Sequence, residues 1–450
     1  MGLTDKIREY FAPTKPLEPQ MIHYRGEGSF EGLRMHLRIE PGGQGILVIN
    51  ASKVIHANIT ATEFIKAILE GQSEEAAVAQ MRKRYAVDKQ TALKDFRDVR
   101  EKIKILSETD EICPVTYLGF GRVDPYSIPR TAPDRMDLAL TYACDNDCAH
   151  CYVEREKSMQ PLSLDQWKKV IDRLWDIGIP HICFTGGEAT MSDHLVPLIE
   201  YAEETGIVTG LLTNGRRLSD KSFMNQLVTA GLDHVQITLE SHIESIHDEM
   251  VGAPGAWKKT VEGIRNAEAE TIYLLTNSTL CAKNRDSFLD TISFLKELGI
   301  ENFACNGFIN AGGAVGSNNE IAEDELPELL EAIRDRAVEL DMNFTWYTPT
   351  QYCSCNPIEL GLGMKRCTAG TSNMCIEPDG TVIPCQSYFE SLGKFLETDW
   401  KQIWTHPTLV TIQKRQWVDE ECKECDDLEV CGGGCPLYAK HHPEKCAKAE

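Results

Sequence analysis

The sequence has no run of eighteen apolar residues, so none of it reads as a helix that crosses a membrane. It also lacks an apolar stretch at its start. Met1 to Tyr10 carries Asp5, Lys6, Arg8 and Glu9, so no secretory signal is read there and a cytoplasmic chain is expected. Basic residues are scarce: 46 Lys and Arg stand against 69 Asp and Glu, a formal net charge of -23. That balance repels phosphate backbones and argues against a nucleic-acid partner. It serves solubility, and gives only weak preference to a basic peptide or the basic face of an electron donor.

Cysteine, by contrast, is abundant. The 450 residues hold 17 of them, and ten fall between Cys353 and Cys446. Without a secretory signal, clustered thiols read as metal ligands rather than disulfides. Three more stand at C-x3-C-x2-C spacing in Cys144, Cys148 and Cys151, just after the strand-like run Met136 to Thr141. A [4Fe–4S] cube needs a ligand on each iron, so a three-cysteine loop leaves one iron open for a small molecule. A zinc loop that borrows a distant fourth ligand, or three unrelated buried thiols, would give the same spacing.

The length allows two to four domains. Met1 to Gln20, with Pro13, Pro16 and Pro19, reads as a loose lead-in. Strands are expected at Leu33 to Ile39, Gly45 to Asn50 and Val54 to Ile59. Thr60 and Glu63 form a capping box that opens a helix ended by Gly71, and two more helices follow at Ser73 to Tyr85 and Asp88 to Leu106. Val87, Ala92 and Phe96 sit at core spacing. The expectation is a winged-helix-like module over residues 1–112. Its text Ala57-Asn58-Ile59-Thr60-Ala61-Thr62, with Glu70-Gly71, Tyr85-Ala86-Val87 and Asp95, resembles the PqqD-like recognition element for ribosomally made peptides. The resemblance implies that a leader peptide adds a strand to the exposed edge of the hairpin. A cap that only packs on an enzyme, or a DNA-binding winged helix, are the alternatives, and the acidic balance speaks against the second.

From 113 to 343 strands and helices alternate six times, in units of about 35 residues. Such alternation implies a parallel sheet with helices outside it: an α/β fold, a partial (β/α)6 TIM-like barrel, open on one side. The cysteine loop follows the first strand, at the edge where parallel sheets place their sites. After the second strand comes Thr185-Gly186-Gly187-Glu188. Its glycines permit close approach of backbone to ligand, and Glu188 offers a carboxylate for an ammonium group. Together these features resemble the radical S-adenosylmethionine (SAM) enzymes over about residues 132–310. The resemblance implies that the open iron binds the amino and carboxylate groups of SAM, and that Gly186, Gly187 and Glu188 hold its amino group. Gln236-Ile237-Thr238-Leu239-Glu240-Ser241 stands at the family's I-S-L-D-G run, which gives Thr238 the place of a serine that contacts the carboxylate. Asn214, in Thr213-Asn214-Gly215, and Asn277, on the fifth strand, are further candidates for the cofactor. There are departures. His150 replaces the usual aromatic, and Val251-Gly252 stands where relatives have Arg-Gly, which leaves the carboxylate partner open, with Arg216 and Lys258 as substitutes.

The segment 344–450 reads as a cysteine-rich domain. Cys367-x12-Gly380-x4-Cys385 precedes Cys422-x2-Cys425-x5-Cys431-x3-Cys435 and then Cys446. The array resembles the SPASM extension of peptide- and protein-modifying enzymes; a pair of zinc ribbons is the alternative. The resemblance implies two more [4Fe–4S] clusters, three in all. One would be held by Cys367, Cys385, Cys435 and a fourth ligand, for which Cys375 is preferred over Cys353 or Cys355. The other would be held by Cys422, Cys425, Cys431 and Cys446. Cys113, Cys183, Cys281 and Cys305 lack tetrad spacing and read as core residues, with Cys305 on the sixth strand the candidate hydrogen-atom donor. The expected activity is a radical SAM maturase that installs a thioether or carbon–carbon crosslink in a precursor peptide carrying a leader, fed by a flavodoxin or ferredoxin-type donor. The alternatives are a sulfatase-type maturase, which Gln386 disfavours, an enzyme of small-molecule cofactor synthesis, and an iron–sulfur redox regulator.

Overall fold

The computed structural model describes residues 15–26, 30, 33–50, 53–108, 129–153 and 159–442. The chain divides into two compact units, meeting in sequence between Thr131 and Ala132.

The first unit is a four-stranded antiparallel sheet followed by three helices. The strands run in order β1 (Gln20–Arg25), β2 (Arg34–Ile39), β3 (Gly45–Ile49) and β4 (Lys53–Ala57). The alternation around Met35, Leu37 and Ile39 predicts β2, and all three side chains are buried. Strand β1 is an addition to the three expected strands; it pairs with β2 from Gln20 against Ile39 to Arg25 against Arg34. Helix α1 (Ile59–Leu69) is capped by Asn58 rather than by the expected Thr60: Asn58 Oδ1 accepts from the Ala61 amide at 2.9 Å. Asn is the stronger cap because its carbonyl reaches the N3 amide. Helices α2 (Glu74–Arg84) and α3 (Lys89–Glu108) complete the unit. Phe64, Ile65, Ala92 and Phe96 join the strand residues in one core; Val87 packs only at its margin.

The second unit is built on a nine-stranded sheet. Six parallel strands form the barrel: β5 (Arg135–Thr141), β6 (His181–Gly186), β7 (Val208–Thr213), β8 (His234–Thr238), β9 (Tyr273–Thr279) and β10 (Asn302–Asn306). Between them run α4 (Leu164–Ile177), α5 (Leu195–Thr205), α6 (Lys221–Thr229), α7 (Glu244–Val251), α8 (Ala256–Glu268) and α9 (Phe288–Glu297), with α10 (Leu326–Glu339) after the last. The expected Ser163–Gln166 capping box opens α4. Helix α7 is an extra element between β8 and α8. Met136, Leu138, Ile182, Phe184, Val235 and Ile237 point outward into the core shared with the helices. Alternate residues therefore line the barrel's interior.

The sheet does not end with the barrel. Strand β11 (Asn343–Trp346) adds in parallel beyond β10, and on the other side β12 (Asn373–Ile376) pairs in parallel with β5, Cys375 opposite Asp137. A short β13 (Val382–Ile383) folds back on β12. Residues after 343 thus extend the barrel's own sheet. No helix of the described residues is long and apolar enough to cross a membrane.

Candidate active site

The cysteine loop hangs from the C-terminal end of β5, its three thiols half-buried. The neighbouring loops hold it in place. Gly187 and Glu188 donate their amides to the carbonyls of Thr141 and Ala143, at 2.8 and 2.9 Å. This contact requires the two glycines: a Cβ on Gly186 would lie 2.1 Å from Thr141 O, and one on Gly187 2.5 Å from Tyr142 O. From β7, Asn214 Nδ2 donates to Asp145 Oδ1 at 2.7 Å, and Arg216 Nη1 to Asn146 Oδ1 at 2.8 Å. From the end of α7, the carbonyls of Val251 and Met250 accept from Asp147 and Ala149. Gly252 belongs there because a Cβ would meet Asp147 O at 2.3 Å. The Asn146 amide also points at Cys144 Sγ, 3.4 Å away.

Three thiols in one braced loop fit three corners of a [4Fe–4S] cube and leave its fourth iron open. A structural zinc site would close with a fourth protein ligand. Residues 138–313 match the model of the Radical SAM superfamily, and residues 367–426 match that of the iron-sulfur cluster-binding domain SPASM.

This chain carries a radical SAM domain followed by a SPASM domain.

Those domains imply [4Fe–4S] clusters and bound SAM. Among known proteins, the chain is 27% identical to a PqqA peptide cyclase of Bradyrhizobium diazoefficiens, covering 67% of this chain and 81% of that one. It is 26% identical to an AdoMet-dependent heme synthase of Nitratidesulfovibrio vulgaris, covering 68% and 89%. Its fold is similar to that of Streptococcus suis SuiB bound to precursor peptide SuiA, with a TM-score of 0.68 at 17% identity, covering 94% of this chain and 97% of that one.

In the radical SAM domain the expected cofactor residues gather at the barrel mouth. Thr238 ends β8 and pairs in register with Asn277 on β9, so both face inward. Asn277 is buried, and its Oδ1 finds no hydrogen-bond partner among the described residues. An orphaned buried acceptor on the inner face fits a ligand with N–H or O–H groups. Glu188 is held in place by the chain itself. Its carboxylate is 2% exposed and accepts four hydrogen bonds from the chain: Thr190 N at 3.0 Å, Thr190 Oγ1 at 2.7 Å, Thr213 Oγ1 at 2.8 Å and Asn214 N at 2.8 Å. Burial pushes its pKa up, against those donors. Three of these bonds fall on Oε1 and one on Oε2, so Oε2 keeps acceptor capacity. Here they tie the end of β6 to the end of β7, next to the asparagine that holds Asp145. Arg216 is engaged by the cysteine loop, and Lys258 is a surface residue paired with Glu244 at 3.1 Å.

Cys305 is a correction. Register pairs it with Ser278, one residue off Asn277, so it faces outward. It is fully buried in the sheet–helix core, where desolvation raises its pKa far above a free thiol. It cannot offer a hydrogen atom at the mouth, because side chains on a strand alternate faces.

Sequence reasoning missed Glu240. Its carboxylate, 1% exposed, lies 2.9 Å from His150 Nε2 and accepts from the Thr279 amide at 2.8 Å. Burial, the largest single effect, would lower the His150 pKa; the charge of Glu240 and its hydrogen bond together outweigh it and hold the pKa above the usual value. The available signal was the pair of departures: a histidine for the aromatic in the loop, and a glutamate for the aspartate after β8.

In the SPASM segment Cys367, Cys385 and Cys435 are close enough to perturb one another. Burial raises Cys367 far above a free thiol, and the thiols of Cys435 and Cys385 raise it further. Burial pushes Cys385 up to about 12. Cys375, on β12, is raised by burial and then by Asp137 and Cys385. Neighbouring thiols, three half-buried and Cys375 fully buried, fit ligands that a cluster's iron would hold as thiolates. Cys353 instead acts on Cys431. Cys431 is followed by Gly432, Gly433 and Gly434, whose φ values of 68°, 80° and 77° only glycine adopts freely. Such a turn points amides inward, toward a negatively charged group. A cavity of about 280 Å³ lies beside Cys422 and Gly433. Cys113 and Cys446 lie outside the described residues. Tyr152, next to Cys151, feels Cys151, Asp137, Cys375 and Cys385, and burial raises its pKa first of all.

Proposed function

We propose that this chain is a radical SAM maturase that installs an oxidative crosslink, thioether or carbon–carbon, in a ribosomally made precursor peptide. The observation that carries it is β12 paired to β5. It brings the Cys375–Cys385 hairpin to the strand from which the Cys144–Cys151 loop hangs. A radical-forming centre and an electron-accepting centre that both act on one half-buried residue, Tyr152, suit a reaction that removes two hydrogens from one substrate. The printed names of the relatives, a peptide cyclase and a protein solved with a precursor peptide, support a peptide as that substrate.

In this reading Cys144, Cys148 and Cys151 hold the SAM-binding cluster. Cys367, Cys375, Cys385 and Cys435 hold the first auxiliary cluster, and Cys422, Cys425, Cys431 and Cys446 the second. A cluster held by Cys144, Cys148 and Cys151 would supply the electron that cleaves the sulfonium of bound SAM, and so the 5′-deoxyadenosyl radical that would take a hydrogen atom from substrate. The chain's own part is positional. Gly186 and Gly187 bring the backbone under the loop, Glu188 locks that turn to β7, and Thr238 and Asn277 present polar atoms at the mouth. The first unit binds the leader at a free edge of its sheet, and a flavodoxin or ferredoxin-type protein supplies the electron. The test is anaerobic reduction with SAM and a candidate precursor. The expected products are 5′-deoxyadenosine and a peptide lighter by two hydrogens. Deoxyadenosine with an unchanged peptide, across precursors encoded beside the gene, would rule out the crosslink; no deoxyadenosine would rule out the whole reading.

A further inference from the structure

A second group of ligand atoms converges at the opposite end of the barrel. His181 and His234 open strands β6 and β8, and Cys183 lies two residues beyond His181 on the same face. That face is the inner one, since Ile182 and Phe184 point outward into the core. The two imidazole Nε2 atoms are 2.8 Å apart, and Cys183 Sγ is 3.4 Å from His181 Nε2. All three ligand atoms lie within 4.8 Å of one another. Strand β7 passes between β6 and β8, and it has a glycine there. A Cβ on Gly210 would lie 2.1 Å from His234 Cε1 and 2.9 Å from Cys183 Sγ. Glycine inside a strand weakens it and marks a place where another group must come close.

As hydrogen-bonding groups these three are only partly matched: one imidazole nitrogen can donate to the other, but the thiol aims at the same His181 Nε2. His181 Nε2 faces both the other imidazole nitrogen and the thiol, and two facing nitrogens of neutral imidazoles share at most one useful proton. As metal ligands they match better, because each offers one ligand atom and the three atoms lie together. Two imidazoles and one thiolate are a donor set for zinc. Zn–N bonds of about 2.0–2.1 Å would need the nitrogens only about half an ångström farther apart than they are.

We propose that His181, Cys183 and His234 bind one Zn²⁺ ion, with water in the fourth position, as a clamp that joins β6 to β8 across Gly210. Cys183 would bind as the thiolate. Binding therefore releases its proton to solvent, and the thiolate offsets one of zinc's two charges. The nearby cation, Arg135, is itself paired with Asp137 at 3.0 Å. His234 is the least buried of the three and marks the entry side.

The probe is Zn²⁺, one equivalent added to anaerobically prepared full-length protein already loaded with iron. X-ray absorption at the zinc edge does not overlap the iron signal. The expected result is one zinc per chain, with one sulfur at about 2.3 Å and nitrogen or oxygen for the rest. In C183S/H234Q, zinc should fall at least tenfold while iron stays unchanged, which also shows that the variant has folded. A sulfur-only zinc shell would place the ion among the C-terminal cysteines and overturn the proposal. So would wild-type protein that retains no zinc after desalting. The spectrum of the wild type decides the matter even if the variant fails to fold. Because the readout is zinc, it stands or falls separately from the radical chemistry.

Discussion

Among single residues, His150 and Glu240 depart together from the radical SAM pattern, and they touch. The loop that carries three thiols is anchored to β8 through that pair, with Glu240 also held by the Thr279 amide. Removing one partner leaves a buried charge without its counterpart, typically worse than removing both. His150→Phe should therefore cost about 3 kcal/mol in chemical denaturation of the iron-loaded protein, and H150F/E240Q should recover most of it. A single variant as stable as wild type would remove the pair's structural role. Cys305 gives the opposite case. It faces the sheet–helix core, so Cys305→Ala should leave deoxyadenosine formation within twofold of wild type and cost about 1 kcal/mol of stability. Loss of cleavage with unchanged stability would contradict the register of β10. The cysteine loop and the Gly-Gly-Glu turn were legible because their chemistry depends on spacing along the chain. The face of Cys305 was not, because a five-residue strand shows no clear period and its register is set by β9. Glu188 was legible as important, but the hydrogen bonds that fix it from Thr190, Thr213 and Asn214 were not, because those residues come from two different parts of the chain.

Among the elements, the helices and strands of the barrel could be read from alternating patterns, while three pieces could not. Strand β1 has the mixed text Gln-Met-Ile-His-Tyr-Arg, and eight residues rather than a tight two-residue turn separate it from β2. Helix α7 is short and follows its strand closely. Strand β12, of four residues, gains its place by pairing with β5, more than 230 residues earlier, and the two-residue β13 by pairing with β12. Strand β1 has a measurable consequence. His23 on it and His36 on β2 are cross-strand partners with Nδ1 atoms 2.8 Å apart. Burial lowers their pKa values to about 4 and about 3, His36 being nudged further by His23 and two arginines. Both are neutral when folded and take up protons near pH 6.5 when unfolded. Their contribution is thus fully present above pH 6.5 and is lost as pH falls toward those values. For His36 the loss is on the order of 2 kcal/mol by pH 5. Hydrogen exchange at β2 amides, corrected for intrinsic rates, should speed up between pH 7 and 5, and His36→Leu should flatten that slope. A pH-independent opening free energy would mean that the imidazoles are already solvated.

For the whole molecule, the two units each have a core of their own. The sheet of the second runs unbroken from the barrel into the cysteine-rich segment, so the iron sites share one body. Three cubes predict about twelve irons per chain, and Cys375→Ser should remove about four without touching the loop at Cys144. Loss of all twelve would mean that the clusters assemble only together. The first unit invites the sharper test, since its last hydrogen bonds come from Arg130 and Thr131, to His56 and Glu40, whereas Asp134 already bonds to Ser372 in the second. A chain beginning at Ala132 keeps every residue of the barrel core. It should fold, hold its iron and cleave SAM without substrate at a rate within about twofold of the full chain. If the leader is bound by the sheet of the first unit, the same truncation should weaken binding of a fluorescent precursor peptide at least tenfold, about 1.4 kcal/mol or more. Binding that survives would place leader recognition in the second unit, and loss of cleavage together with binding would show that the first unit supports the barrel rather than the peptide.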